Sequence, residues 1–244
     1  MEGYLKRNDD ISIQKEETYD FPARSSSWLK AFQVQNKRLL EEYNPVLTQD
    51  VIWSEKERSN TGTPWLEVID FCTSRIKYST DCIGILLREA RKIADKDEAS
   101  PSLCLIIDGV NALWCRGTIL KITSQPKITV DNLALFNHIK RSIRGDWKKG
   151  MIIGACNGRA SWFTDRESHD PGYMLTRPGF EAMNPFVPIE VPQMEMEEFK
   201  QMLSFYAENK WITRESSASD KVIRELDTIS QRNFKELFRL VSEY

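Results

Sequence analysis

Two polar residues directly follow apolar runs and are the best candidates for chemistry in this chain. Asp108 ends the run Leu103–Ile107, and Asn157 follows the run Met151–Cys156. An unbroken apolar run predicts a strand buried on both faces, as in a parallel sheet covered by helices. Open α/β sheets bind ligands beyond the carboxyl ends of their strands. Asp108 is therefore a candidate Mg²⁺-linked acid of the Walker B type, and Asn157 is a candidate nucleotide sensor.

Both residues also have simpler interpretations. An acid followed by Gly109 makes a good strand terminator, and Asn157-Gly158 is a common turn pair. No second acid follows Asp108 to activate a water molecule, because the next residues are Gly109, Val110 and Asn111. We therefore expect slow nucleotide hydrolysis or none, no catalytic residue, and Mg²⁺ at Asp108 only if a nucleotide binds.

A group of cations near the end of one predicted helix could contact phosphates. Arg116 and Arg159 follow two strand ends and could do the same, or lie at the surface. For the helix-end group, the alternative is a solvated helix end that the helix dipole favours. The five residues of this group are Lys140, Arg141, Arg144, Lys148 and Lys149.

The composition is that of a globular protein without a general affinity for nucleic acid. The 244 residues are 41% hydrophobic and 29% charged, with a formal net charge of -2. Near-neutral charge argues against nucleic acid wrapped over most of the surface, although a local basic patch remains open. The five cysteines form no CxxC pair, which favours a reducing compartment. No run approaches the length of a membrane span, so no membrane partner is expected.

The order of predicted elements is helices, strand, helix, strand, loop, strand and a helical tail. This order predicts an α/β core with a parallel sheet and an appended helical lid. We divide the chain into a loose tail at 1–25, a core at 26–192 and a helical subdomain at 193–244. Residues 158–185 are interpreted as a long surface excursion. The helices are expected at 28–43, 63–93 with a break at 78–81, 131–144, 195–209, 218–230 and 233–243. The strands are expected at 103–108, 151–156 and 186–191, with a further short one near 51–53.

Four stretches together resemble the death-associated protein 3 family, whose members are components of the mitochondrial small ribosomal subunit. They are Trp28–Lys30, Asp108–Trp114, Gly179–Ile189 and Tyr206–Trp211. They fall in the family's order, and the resemblance runs from about Tyr19 to the C-terminus. It implies a P-loop NTPase-like fold of the AAA/STAND type, with GTP or GDP and Mg²⁺ bound in full-length relatives. It also implies a mitochondrial matrix location, ribosomal proteins and rRNA as partners, no homo-oligomer and, for animal members, a link to apoptosis.

The chain departs from this family because it has no phosphate loop of the form GxxxxGK[ST]. None of its glycines is followed by lysine. That loop supplies the N–H groups and the lysine that hold phosphates. We therefore expect weak nucleotide binding or none, and no cofactor for this chain.

The sheet is then expected to be N-terminally truncated, as in a fragment, a shortened isoform or an incomplete gene model. The strands at 151–156 and 187–191 would lack a shared neighbour and leave backbone groups unpaired. The leading function is a structural ribosomal component with a degenerate GTP-binding fold. The alternative is a guanine-nucleotide-binding switch or weak GTPase, with a pro-apoptotic signalling role by family analogy.

Overall fold

The computed structural model describes residues 6–7, 18–96, 102–115, 128–143, 147–157, 168, 170–212 and 220–243. Contacts divide the chain into two compact units, Met1–Phe186 and Val187–Tyr244. The strands are β1 (Lys6–Arg7), β2 (Tyr19–Asp20), β3 (Val51–Ser54), β4 (Glu57–Ser59), β5 (Leu103–Asp108) and β6 (Gly150–Ala155). The helices are α1 (Pro22–Tyr43), α2 (Trp65–Ser74), α3 (Ser79–Ala94), α4 (Ala134–Ile143), α5 (Pro171–Met183), α6 (Met196–Glu208), α7 (Asp220–Ser230) and α8 (Phe234–Glu243).

Strands β5 and β6 form the parallel sheet that the two apolar runs predict. Leu103 pairs with Gly150 and Asp108 pairs with Ala155, so the two strands end together. The chain between them includes α4, as parallel pairing requires a crossover connection. The expectation of an α/β architecture with a parallel sheet is confirmed. The P-loop NTPase-like fold stays a prediction, because the described part of this sheet has two strands.

The expectation that these strands are buried on both faces is wrong. Leu105, Ile107 and Ile152 are half-buried, and the last two pack against a cluster that includes Ile143 of α4. The opposite face is exposed, and Ile106 on it keeps 70% of its surface accessible. The residues of this bare sheet face are Cys104, Ile106, Met151 and Ile153. The described helices cover one face of the sheet, so the apolar residues of the other face remain in solvent.

The main core of the first unit lies among α1, α2, α3 and the β3–β4 hairpin. Its buried members include Leu29, Leu40, Val68, Ile69 and Leu86. The apolar residues Trp28, Phe32, Leu39 and Tyr43 recur at helical spacing in α1, but the core packs mainly against another side of the helix. Leu29 and Leu40 face the core, whereas Trp28, Leu39 and Tyr43 are exposed and Phe32 is partly buried. Helix α1 has two apolar stripes, and periodicity alone cannot say which one the neighbouring helices cover.

Residues 19–25 are not the loose tail that composition suggests. Tyr19 and Asp20 are buried in β2, and α1 starts at Pro22 rather than at residue 28. Pro22 suits the first turn of a helix, where no backbone N–H is needed. Ser25–Ser27 therefore lie inside α1 rather than before it.

A break between two helices is confirmed, but it lies at 75–78 rather than at 78–81, because a short 3-10 helix at Ile76–Tyr78 precedes α3. The side-chain hydroxyls of the first two residues of α3 join this helix to other elements. Ser79 donates a hydrogen bond to the carbonyl of Cys72, and Thr80 bonds to Asp20 and Ser25.

Two expectations for residues 158–191 are corrected. Helix α5 lies inside the predicted surface excursion, and the Asp170 carboxylate caps it by accepting from the N–H groups of Gly172 and Tyr173. Thr176 has φ of +61° and kinks the helix ahead of Pro178. The predicted strand at 186–191 is absent, and residues 186–195 carry no helix or strand. Pro188 removes a ladder donor from that segment.

The second unit contains α6, α7 and α8, close to the three helices predicted at 195–209, 218–230 and 233–243. Its core forms around Phe199, Leu203, Tyr206, Leu226 and Leu237. Phe199, Leu203 and Tyr206 of α6 occur at positions i, i+4 and i+7, the apolar spacing of an amphipathic helix. Among the described residues, no helix is both long and apolar enough to cross a membrane.

Candidate functional site

The structure brings the two candidate polar residues to the same edge of the parallel sheet. Asp108 is the last residue of β5 and is paired with Ala155, the last residue of β6. Asn157 follows two residues later. The Asp108 carboxylate is exposed at this edge, where open α/β sheets bind their ligands. Asp108 and Asn157 therefore lie at the same edge of the sheet, and their part in nucleotide binding stays a prediction.

Asn111 connects the two strand ends, a role that the sequence reasoning missed. Its side-chain amide donates to the carbonyl of Asn157 at 2.9 Å, and its side-chain oxygen accepts from the N–H of Asn157 at 2.9 Å. Asn111 is only 2% exposed. The amide thus holds the chain after β6 as a neighbouring strand would. The signal in the sequence is a single polar residue, Asn111, in the otherwise apolar stretch Val110–Trp114, because a polar group among core residues needs a hydrogen-bond partner.

Gly109 allows the chain to turn sharply after Asp108. Its φ is +67°, a left-handed conformation that glycine adopts without steric cost, and a 3-10 helix follows at Val110–Trp114. The Asp108 carboxylate and the 3-10 helix that follows Gly109 therefore point in different directions. Asp108 stays at the surface while Val110 and Leu113 enter the core.

The apolar residues of this stretch pack against glycines of other elements. A Cβ added to Gly179 of α5 would lie 2.7 Å from the Trp114 ring, and one added to Gly154 of β6 would lie 2.9 Å from Val110. Both distances are too short for a side chain. These glycines are therefore needed for close packing, and most of the Asp108–Trp114 stretch is structural.

The described arrangement offers little for catalysis or for a metal. No group of three His, Cys, Asp or Glu side chains in the described part of the chain could hold a metal ion. The Asn111 amide is already occupied by Asn157. The Asp108 carboxylate could contact a hydrated Mg²⁺ only if a ligand supplied the remaining oxygens. An open surface depression of about 470 Å³ lies on α7, around Arg224 and Ile229, and does not involve Asp108.

Of the candidate phosphate-binding cations, one pairs with an acid through its side chain and three lie outside the described residues. The ammonium of Lys140 lies 2.5 Å from the Asp131 carboxylate. The backbone N–H groups of Lys148 and Lys149 donate to Asp95 at 3.0 and 3.4 Å, which fixes the chain before β6. Arg141 is exposed. Arg116, Arg144 and Arg159 lie outside the described residues.

A second polar cluster lies between β2, α3 and α4. The buried Asp20 carboxylate accepts from the Thr80 hydroxyl and from the N–H of Phe21. Burial raises the pKa of Asp20, and the two hydrogen bonds oppose that rise. The nearby charge of Asp81 raises this pKa further, whereas His138 lowers it. His138 lies 3.3 Å from Asp81 and joins α4 to α3. The cluster therefore joins β2, α3 and α4.

Comparison with known proteins shows the same family that the four stretches resemble. Residues 2–240 match the family described as mitochondrial ribosomal death-associated protein 3. The small ribosomal subunit protein mS29 of Mus musculus is 31% identical over 229 residues, and its Bos taurus counterpart is 32% identical over 230 residues.

These matches cover most of this chain but little more than half of each relative. They include 94% of this chain, 57% of the mouse protein and 56% of the bovine protein. The family match is much longer than the Asp108–Trp114 stretch and extends through both units. The chain belongs to the mitochondrial ribosomal death-associated protein 3 family.

Proposed function

We propose that this chain is a structural component of the mitochondrial small ribosomal subunit and resides in the mitochondrial matrix. The observation that carries the proposal is the family match over residues 2–240, together with two relatives named small ribosomal subunit protein mS29. Its partners are then ribosomal proteins and rRNA, and its role is to make contacts rather than to catalyse a reaction.

The exposed apolar surfaces support a role within an assembly. A parallel sheet normally has both faces covered, yet Ile106 and Met151 remain exposed on the bare sheet face. Trp28, Leu39 and Tyr43 are also exposed on α1. Aromatic residues and large contiguous apolar patches at a surface are typical of protein interfaces. A chain that works alone in solution would leave this surface in water.

The candidate nucleotide site supports a degenerate GTP-binding fold rather than a working GTPase. Asp108 is present at the strand end. A phosphate loop also requires a glycine followed directly by a lysine, and the sequence contains no such pair. A single exposed carboxylate repels phosphate unless a metal ion and N–H donors offset the charge. We therefore infer weak guanine-nucleotide binding or none, and no catalysis.

Sedimentation of mitochondrial lysate tests the ribosomal assignment. A tagged copy of this 244-residue chain is expressed in mitochondria, and the lysate is separated on a sucrose gradient. We expect the tag to co-migrate with the small subunit and with its rRNA. A tag found only in soluble or aggregated fractions, while a longer relative co-migrates with the subunit, would contradict the proposal.

The switch-type alternative depends on Asp108, the acid at the carboxyl end of β5. Titration of the purified chain with GTP or GDP and Mg²⁺ distinguishes the two functions. We expect no saturable heat at micromolar nucleotide. Saturable binding that Asp108→Asn abolishes would favour the switch. A pro-apoptotic role would rest on family analogy alone, so it forms no part of this proposal.

A further inference from the structure

The exposed surface of α1 carries cations and no acids over most of its length. Before Glu41, the helix contains four cations and neither Asp nor Glu. The whole chain has 36 acidic and 34 basic residues, so this stretch departs from the balance of the chain. The four cations, all of them exposed, are Arg24, Lys30, Lys37 and Arg38.

The distribution of these charges does not stabilise the helix itself. The dipole of a helix favours acids in the first turn and cations in the last turn. Helix α1 has the reverse arrangement, because Arg24 lies in its first turn whereas Glu41 and Glu42 lie in its last turn. Helix stability therefore does not account for the cations, whereas an anionic partner would.

Three of the four cations have no acid to neutralise them in the described part of the chain. The ammonium of Lys37 lies 3.8 Å from the carboxylate of Glu41. No described acid pairs with Arg24, Lys30 or Arg38. Their positive charge is therefore available to a ligand without the loss of an existing ion pair.

Trp28 adds an aromatic surface to the exposed side of the helix. Its ring stacks on the ring of Phe32, with centroids 5.3 Å apart and planes 12° apart. Phe32 in turn packs against the core that α1 shares with α2 and α3. One face of the indole is thus supported, yet Trp28 keeps 48% of its surface exposed. Exposed aromatic rings of this kind are the platforms on which unpaired bases of single-stranded nucleic acid stack.

Helical spacing places two of the free cations on the side of α1 that carries Trp28. Arg24 precedes Trp28 by four residues, and such pairs are neighbours on a helix surface. Arg38 follows Trp28 by a little under three turns, about 15 Å along the axis. Between them, Ala31 and Gln35 are exposed and uncharged. We call the surface formed by Arg24, Trp28 and Arg38 the cationic face of α1.

We propose that the cationic face of α1 binds a single-stranded segment of RNA. The guanidinium groups of Arg24 and Arg38 contact phosphates, and the exposed face of Trp28 stacks on an unpaired base. The aromatic ring favours RNA over an acidic protein surface, because a nucleotide supplies both a flat base and a phosphate. The inference rests on the proposed function, since it names the surface through which this chain contacts rRNA.

Stacking on Trp28 is tested with two fluorescein-labelled probes. One is an oligouridine of about fifteen nucleotides, within the range of known single-strand sites, and the other is an abasic oligonucleotide of the same length. Fluorescence anisotropy measures the affinity of the purified full chain for each probe. We expect Trp28→Ala to weaken oligouridine binding about tenfold, as loss of one stacked base predicts. Binding of the abasic probe should change by less than about twofold. Equal effects on the two probes would overturn the stacking assignment.

The phosphate contacts are tested by the double variant Arg24→Gln with Arg38→Gln. We expect the slope of log affinity against log salt to decrease by about 1.4, because each phosphate contact on a single strand contributes about 0.7. The control is Lys200→Gln with Arg224→Gln, which removes two exposed cations from α6 and α7 and should leave the slope unchanged. An equal decrease in the control would overturn the proposal. All the substituted side chains are exposed, so circular dichroism should show unchanged helix content.

The sucrose gradient separates failure of this inference from failure of the ribosomal assignment. If the native chain binds oligouridine as expected but does not co-migrate with the small subunit, the ribosomal assignment fails and RNA binding by the cationic face stands. If the native chain co-migrates but does not bind oligouridine, the inference is overturned and the assignment stands. A double arginine variant that leaves the subunit while its oligouridine affinity is unchanged would show that an acidic protein covers this face, which also overturns the inference.

Discussion

At the scale of single residues, Asn111 decides the geometry at the carboxyl edge of the sheet. It is almost fully buried, and both of its side-chain hydrogen bonds go to the backbone of Asn157. A side-chain amide that bonds a backbone N–H and C=O together replaces the pair of bonds that a neighbouring strand would give. Asn111 therefore fixes the loop after β6 to the turn after β5.

Replacement of Asn111 by alanine should lower the free energy of unfolding by about 2 kcal/mol, since two buried hydrogen bonds are lost. Urea unfolding of the two proteins measures the difference. Asn137→Ala is the control, because the amide of Asn137 donates an exposed hydrogen bond to the carbonyl of Asp131. That control should change stability by less than about 0.5 kcal/mol. Equal effects of the two substitutions would contradict the role given to Asn111.

Asp20 should make stability fall as the pH rises. Burial raises the pKa of Asp20 above its ordinary value of 3.8, against the opposing hydrogen bonds from Thr80 and Phe21. An acid with a raised pKa stabilises the fold in its protonated form, and this contribution is lost as the pH passes from 3.8 through the folded-state pKa. Relative to the native chain, Asp20→Asn should therefore gain stability over that range. Urea unfolding at a series of pH values measures this difference.

Glu89 provides a control of opposite sign for the same measurement. Burial alone would raise the pKa of Glu89, but hydrogen bonds from Thr48 and the ammonium of Lys92 hold it below its ordinary value of 4.5. Its contribution is present above pH 4.5 and is lost as the pH falls through the folded-state pKa. Glu89→Gln should therefore be less stable than the native chain above pH 4.5, and this difference should shrink as the solution becomes more acidic. If the stability of both variants relative to the native chain changed with pH in the same direction, the raised pKa of Asp20 and the lowered pKa of Glu89 would both be contradicted.

At the scale of elements, the parallel sheet has two faces with different environments. Ile107 packs with Val110 and Ile143, whereas Ile106 is exposed on the bare sheet face. The two residues are adjacent and chemically identical, so only the arrangement of the helices distinguishes them.

Threonine at these two positions tests the difference between the faces. Ile107→Thr should lower the free energy of unfolding by about 1.5 kcal/mol, because apolar contacts are lost and a hydroxyl enters an apolar cluster. Ile106→Thr should change it by less than about 0.5 kcal/mol, since that side chain is already in solvent. Thermal or urea unfolding measures both. A larger loss at Ile106 than at Ile107 would show that the exposed face had been assigned to the wrong side.

At the scale of the whole molecule, the chain is built from two compact units, Met1–Phe186 and Val187–Tyr244. Each has its own apolar core, one around α1–α3 and the other around α6–α8. The exposed segment Val187–Val191 lies at the start of the second unit and has no helix or strand. Cleavage there would leave both cores intact.

Limited digestion with a glutamate-specific protease should therefore cut after Glu190 before it cuts within α6. Glu190 lies in an exposed segment, whereas Glu197 and Glu198 are in the first turn of a helix. Proteases need an extended, accessible backbone. Mass spectrometry of early time points identifies the site, and Glu190→Gln should remove that product. First cleavage at Glu197 or Glu198 would contradict the interpretation.

The sequence by itself determined the periodic elements and the family. The strands at 103–108 and 151–156 and the three helices of the second unit follow from apolar spacing, because that spacing reports which face can be buried. Four stretches, Asp108–Trp114 among them, carried the family resemblance, and the match over residues 2–240 shows the family. The missing phosphate loop was also evident from residue order alone.

Only the tertiary structure decided which apolar surfaces are buried and which polar groups meet. Periodicity shows that α1 has apolar stripes, but the positions of α2 and α3 select Leu29 and Leu40 over Trp28 and Leu39. An apolar run predicts a buried strand, but burial depends on elements supplied from elsewhere, and here they cover one face. Asn111 and Asn157 are far apart in the chain, and parallel pairing of β5 and β6 brings them together. The burial of a side chain and the pairing of two strands depend on residues far away in the sequence, so local sequence patterns cannot determine them.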